Sequence, residues 1–283
     1  MKIHEVSAAD YHTLLRCKRE NIFDKESYLS KSVLWELASS SLYKWRFHPR
    51  EFSPTPAMQW GSLVDCLTTT PELVEDEIRI SPFSSYRTKE AREWKDECLA
   101  LGKTIVTEEL FNEGVKASEM LLQTNFQSAE IFENSMKQVI IGAKVSEVQF
   151  KGLVDLAPVG ENYLVDLKTT GGDFTLDGFS KAIANFGYHA QAALYLALWN
   201  STHPDPQEQR HRFKIIWQSS NPPYEVCVTE LHQDEIRAGL KKILRLLSKL
   251  KHAAREDYWP MLAENENPIL SRPVWAMMED EQD

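Results

Sequence analysis

The chain is 283 residues long, with 26% charged and 42% hydrophobic residues and a formal net charge of −10. That composition belongs to a soluble globular protein with length enough for one large core or two small ones. It excludes a chain built around membrane spans, because no run approaches 18 apolar residues.

The acidic balance argues against a protein that coats nucleic acid over its whole surface, and it leaves room for a local basic groove. The opening MKIHEVSAADYHTLLR lacks the uninterrupted apolar stretch of a secretory leader, so a cytoplasmic location is expected. Cys17, Cys66, Cys98 and Cys227 form no C-x-x-C pair. They read as reduced, mostly buried thiols rather than a zinc ribbon or an iron–sulfur cluster.

Residues 8–20 predict a short helix. YLSKSVLWELASSSLYKWRF (28–47) predicts a second, with Ser30 or Ser32 as N-cap, and the proline-rich 48–57 a loop. A helix from Met58 to about Thr69 ends before Pro71. Residues 80–97 begin as a loop and turn helical near Lys89, and 107–123 and 127–137 continue as helices. The character then changes: 137–158, 163–170, 212–220 and 224–231 are rich in Val, Ile and aromatics and read as strands. Between them 178–200 has the spacing of one helix, and 232–254 carries leucines and isoleucines at heptad-like intervals. This order predicts an α/β chain in one domain, a mixed sheet flanked by helices. It has a mainly helical part over 1–136, a sheet-and-helix core over 137–256 and an irregular acidic tail over 257–283.

The segment GLVDLAPVGENYLVDLKTT (152–170) puts charge where a buried hairpin should have none. Alternation places Asp166 and Lys168 on one face, and a four-residue loop at Val159–Asn162 sets Asp155 opposite Asp166. Opposed residues lie roughly 5 Å apart, where two carboxylates repel by about 3 kcal/mol at an effective dielectric near 20. A divalent cation between them reverses the sign, and Mg²⁺ is commonly held by one or two carboxylates. Lys168 then stands within reach of a water or a phosphate oxygen, an arrangement suited to metal-assisted phosphodiester hydrolysis. The bland alternative is a solvated hairpin with a weak Asp–Lys pair.

In the following helix Tyr188, Gln191 and Tyr195 share a face at i, i+3 and i+7. A buried glutamine there needs partners for donor and acceptor alike.

Two further clusters carry positive charge. Tyr86, Arg87, Lys89, Arg92 and Trp94 mix basic and aromatic residues at a loop-to-helix transition, from which Arg87 and Lys89 are candidates to grip a DNA end. Arg237, Lys241, Arg245 and Lys249 form a stripe on the last helix, either a track for a phosphate backbone or a solvated face. His189 reads as structural, and no GxSxG or GxxxxGK motif occurs.

Taken together, G-x-x-D (Gly152 to Asp155), D-x-K (Asp166 to Lys168) and Q-x-x-x-Y (Gln191 to Tyr195) resemble the PD-(D/E)xK nuclease superfamily. Within it they resemble the RecB-like branch, and most nearly the RecE-type exodeoxyribonuclease VIII group of phages and prophages. YLSKSVLWEL, AMQWGSLVDCLTTTPE, YRTKEAREW and RPVWA (272–276) are also similar to segments of that group.

The resemblance implies a restriction-endonuclease-like core and dependence on Mg²⁺, with Mn²⁺ as a substitute. It further implies 5′→3′ digestion of one strand at linear duplex ends, a ring-shaped homo-oligomer, an annealing partner of the RecT kind, and residence in a bacterial host's cytoplasm. By the same match Asp155 and Asp166 are metal ligands, joined by the backbone carbonyl of Leu167. Lys168 is the catalytic lysine, and Gln191 and Tyr195 match the helical motif that orients substrate and lysine; Tyr188, on the same helix face, is a candidate DNA contact. Where many relatives carry a metal-binding histidine after G-x-x-x, this chain has Asp65, either a further ligand or a helix-surface residue. Gln138 and Glu147 are rivals for the position of an expected upstream glutamate. A structure-specific endonuclease, a non-catalytic DNA-end-binding module and an acidic DNA mimic are the alternatives to weigh.

Overall fold

The computed structural model describes residue 6 and residues 11–49, 54–123, 127–264 and 268–271. The RPVWA segment therefore lies outside the described residues. Helix α1 is brief, Tyr11–Leu14.

The single helix expected over 28–47 is absent. Tyr28–Leu29 forms a short strand, β1, and Ser30 then caps α2 (Lys31–Trp35) by accepting from the Val33 N–H. A 3₁₀ turn follows, and Ser41 caps a separate α3, Leu42–Phe47. Serines favour such caps because their hydroxyls compete with the helix backbone, so the run Ser39–Ser40–Ser41 divides the segment.

Thr55 and Pro56 start α4, Pro56–Thr69, two residues before the expected position. After α5 (Val74–Glu77), two strands arise that the sequence had not announced. β2 (Ile78–Ile80) and β3 (Thr104–Val106) pair in parallel around α6, Lys89–Ala100. Thr107 caps α7 (Glu108–Leu121), and α8 (Gln127–Glu133) stops short of residue 137 because Ser135 already opens a strand.

That strand is β4, Ser135–Val145, which turns back into β5, Val148–Pro158. Then come β6 (Tyr163–Thr170), α9 (Leu176–Phe186), α10 (Tyr188–Thr202), β7 (Arg212–Ser219), β8 (Val226–Glu230) and α11 (Gln233–Glu256). The one helix expected over 178–200 is thus two, broken at Gly187, whose φ of +66° is a conformation glycine adopts without strain. A Cβ there would lie 2.4 Å from the Trp35 indole.

Among the described residues, six strands form a mixed sheet in which β4 and β8 are antiparallel to β5 and β7, and β7 runs parallel to β6 along its whole length. One contact matters for the chemistry. β5 and β6 meet in a single registered pair, Leu156 with Val165, and β1 takes the far end of β5 beside Gln149 and Phe150. Between those points the edge of β5 is open.

Helices cover both faces. Val165 and Leu167 pack with Trp60 and Val64 of α4 and Leu121 of α7. Leu164, Phe213, Ile215 and Trp217 pack with Leu194 and Leu198 of α10 and Leu247 of α11. Alternation along β6 therefore turns Asp166 and Lys168 toward α10. The start of the tail is irregular, as expected, yet docked: Trp259 stacks on Trp45 with ring centroids 6.1 Å apart.

Candidate active site

Counting on from Leu156 and Val165, the next opposed residues are Asp155 and Asp166, and here the two strands part. In place of a backbone ladder, the Leu167 N–H donates to Asp155 Oδ2 at 2.8 Å. A carboxylate thus fastens β6 to β5 at the mouth of the opening.

Asp166 is 2% exposed, and both its oxygens are engaged. Oδ1 accepts from Gln191 Nε2 at 2.6 Å, and Oδ2 pairs with Lys168 Nζ at 2.6 Å. The Lys168 ammonium lies 5.1 Å from the centre of the Tyr188 ring. The role expected for Gln191 is therefore refined, since it holds the lysine's carboxylate partner rather than the lysine. Tyr195 lies against Gly152, where a Cβ would be 2.8 Å from its ring, so the glycine of G-x-x-D lets α10 close onto β5.

The β4–β5 ladder is continuous except opposite Asp155, where Gln138 has a φ of +50°. Its side chain turns to Asp65 on α4, with Nε2 at 3.1 and 2.9 Å from the two carboxylate oxygens and 3.1 Å from Thr69 Oγ1. Gln138 thus belongs to the site as a donor that fixes Asp65, and Asp65 is a half-buried neighbour of the cluster. Glu147, its rival, is corrected: it sits in the β4–β5 turn, 3.0 Å from Lys251 and paired also with Arg255.

The electrostatics follow from this crowding. Burial pushes the Asp155 carboxyl well above the carboxylate range, and the charges of Asp166 and Asp65 push it further. Burial, with Asp166 adding and Lys168 opposing, raises Asp65 to about 7. Burial alone would lower Lys168, but Asp166 and Asp155 outweigh it and keep the ammonium charged. Burial holds the Tyr195 hydroxyl firmly protonated.

These groups border a cleft of about 310 Å³ whose lining includes Tyr11, Lys31, Lys151, Asp155, Lys168 and Tyr195. The sequence reading missed Lys31 and Lys151. Lys151 donates to the Tyr11 carbonyl at 3.0 Å, and Lys31 donates to the Phe186 carbonyl and lies 5.9 Å from the Tyr188 ring. Burial lowers each to about 8, with Lys168 adding to the effect at Lys31. Their positions beside the quoted motifs, in LSKS and FKGLVD, were the available signal.

Other candidates lie elsewhere. Arg87 is exposed before α6, and Lys89 pairs with Glu93 at 3.6 Å within that helix. Lys241 and Arg245 are exposed on α11, and none of the four lines the cleft. His189 is structural as expected, with Nδ1 3.2 Å from the Ile183 carbonyl.

Among the described residues no three His, Cys, Asp or Glu side chains converge into a closed metal cage. The donor set nevertheless fits a divalent ion. Asp155 and Asp166 are adjacent hard-oxygen donors, and Asp65, Asp155 and Asp166 share one ammonium, which leaves the ionised cluster two charges short of balance.

The profile of the PDDEXK-like domain of unknown function (DUF3799) matches residues 36–269. The chain belongs to that family. This PDDEXK-like membership agrees with the D…D-x-K…Q-x-x-x-Y geometry and with the mixed sheet flanked by helices. No curated protein matches the chain in sequence. Among solved structures, a provisionally named exonuclease from Eubacterium rectale superimposes with a TM-score of 0.61 at 15% identity, over 97% of each chain. At that identity the likeness establishes the fold. An alkaline exonuclease from Laribacter hongkongensis matches with a TM-score of 0.29 at 12% identity, covering 70% of this chain and 94% of that one. That score is too low to bear on function. No helix among the described residues is long and apolar enough to cross a membrane.

Proposed function

We propose that this PDDEXK-like chain is a metal-dependent deoxyribonuclease, acting as an exonuclease on the ends of linear duplex DNA. The observation that carries the reading is the constellation at the parting of β5 and β6. There Asp155, Asp166 and Lys168 face one cleft, and Gln191 fixes Asp166 from α10.

Asp155 and Asp166, with the Leu167 carbonyl, would hold Mg²⁺ or Mn²⁺, and Asp65 stands behind them as a further oxygen donor. When bound, such an ion stabilises negative charge on phosphoryl oxygens and makes water a better nucleophile at neutral pH. The chain's own residues do the rest. Gln191 orients the Asp166 carboxylate, which in turn aims the Lys168 ammonium. Held charged at the cleft, that ammonium hydrogen-bonds the attacking water or meets the charge that grows on phosphorus. Tyr195 stays protonated and can donate, and Lys31 and Lys151 add positive charge to the wall. The 5′→3′ polarity, the ring assembly and the annealing partner of the RecT kind belong to the same proposal, supported by the RecE-type motifs.

The test is linear duplex DNA labelled at the 5′ or the 3′ end, incubated with Mg²⁺, with EDTA, or with the Lys168→Ala protein, and closed circular DNA as the end-free control. Mg²⁺-dependent release of 5′ label from linear DNA alone is expected. Cutting of the circle would replace the exonuclease by an endonuclease on the same core. Turnover by Lys168→Ala at the wild-type rate would remove the lysine's role.

A further inference from the structure

Phe186 ends α9 with a large ring that keeps 59% of its surface exposed. A lone exposed aromatic is ordinary, but three constraints set this one apart. Gly187 follows it in the left-handed region, packed so closely on Trp35 that no side chain fits. Lys31 donates to the carbonyl of Phe186 itself, so the backbone is held on both sides of the ring. The ring lies 5.7 Å from that of Tyr188 with 30° between their planes, and Tyr188 lies 5.1 Å from Lys168 Nζ. A ladder of two aromatic rings thus leads from solvent to the lysine of the cleft.

We propose that Phe186 is a stacking platform for the nucleobase next to the scissile phosphate. The inference rests on the nuclease reading above and adds a base contact beside the cleft. A base that caps the exposed face of Phe186 continues the Phe186–Tyr188 ladder and holds its phosphate toward Lys168. The platform is sequence-tolerant, because every base has a π-face, and this suits an enzyme that digests DNA without regard to sequence.

The experiment uses the full chain carrying Lys168→Ala, so that the DNA is not consumed. The probes are duplex oligonucleotides with 2-aminopurine as the terminal base of either the 5′ or the 3′ strand. Binding should quench the 2-aminopurine at one terminus. The quench should persist with Phe186→Trp and vanish with Phe186→Ala, whose affinity falls roughly ten-fold, within the range of stacking on an aromatic side chain. In the chain with Lys168 intact, Phe186→Ala should raise KM by a similar factor with a much smaller change in kcat, and Phe186→Trp should restore KM.

Absent quenching in the Phe186 protein, or equal quenching and equal KM in Phe186→Ala, overturns the platform. Lack of hydrolysis by the wild-type chain with quenching retained overturns the nuclease reading and leaves the platform standing, since the quench is read without turnover.

Discussion

Asp155→Asn should make the protein more stable and inactive at once. The asparagine oxygen can still accept the Leu167 N–H that Asp155 Oδ2 now takes at 2.8 Å, so the strand junction survives. What disappears is a carboxylate that faces two others and one ammonium. A like charge roughly 5 Å away repels by about 3 kcal/mol at an effective dielectric near 20. The attraction to Lys168 roughly cancels one of the two repulsions, and the second remains together with the burial penalty. A net gain of at least about 3 kcal/mol follows once the carboxylates are ionised, or roughly 5 °C in Tm for a chain of this size.

The sign with pH is fixed. The folded pKa of Asp155 lies above its unfolded value, so the native state binds the proton more tightly. Wild-type stability then falls as pH rises from the ordinary carboxylate range through the folded pKa. The advantage of Asp155→Asn should therefore be small near pH 4 and grow toward pH 9. Thermal melts in EDTA across that range measure it. Adding Mg²⁺ or Mn²⁺ should stabilise the wild type by about 2.7 kcal/mol at a hundred-fold excess over Kd, raising its Tm, and stabilise Asp155→Asn far less. A variant less stable than wild type at every pH, with a wild-type Tm indifferent to both cations, would refute the reasoning.

Gln191→Leu strips a buried partner from Asp166 Oδ1 and should destabilise the fold by about 1–3 kcal/mol, while hydrolysis falls more steeply than the melts account for. Gly187→Ala forces a left-handed residue onto the Trp35 indole and should lower stability by roughly 2–3 kcal/mol, read by urea titration. Hydrolysis should rise with pH from the acid side, because Asp65, raised to about 7, and Asp155 must lose protons before the cluster can bind a cation. Saturating Mn²⁺ should shift that limb to lower pH, and a flat profile from pH 5 to 8 would contradict it.

The charges of the β5–β6 segment were legible in the sequence because a period-2 pattern leaves polar residues on a buried face conspicuous. Val165 and Leu167 on one side and Asp166 and Lys168 on the other stand as alternation requires. Gln191 and Tyr195 were legible as polar tips on an apolar helix. The parting of the strands at Asp155 was not, because side-chain alternation does not say where a ladder ends, nor that β1 pairs with the far end of β5 from residues 28–29. Nor was the bond from Gln138 to Asp65, whose partners are separated by 73 positions and by a backbone twist at φ +50°. The break at Gly187 hid inside a helical pattern, since a single glycine is tolerated in helices. Only the approach of Trp35 makes it obligatory. β2 and β3 escaped notice because three-residue strands leave too short a pattern to read.

The crossing of α10 and α11 bears on how such a protein is made. Gly239 brings α11 so near α10 that a Cβ would lie 2.2 Å from the His189 carbonyl, and α11 ends at Glu256. A ribosome adds roughly 5–20 residues each second. Every motif residue has therefore emerged well before the helix that presses Gln191 and Tyr195 toward the sheet. A nascent chain carries the full motif set before it has the helix that packs α10 from behind, and the proposed chemistry waits until α11 has emerged.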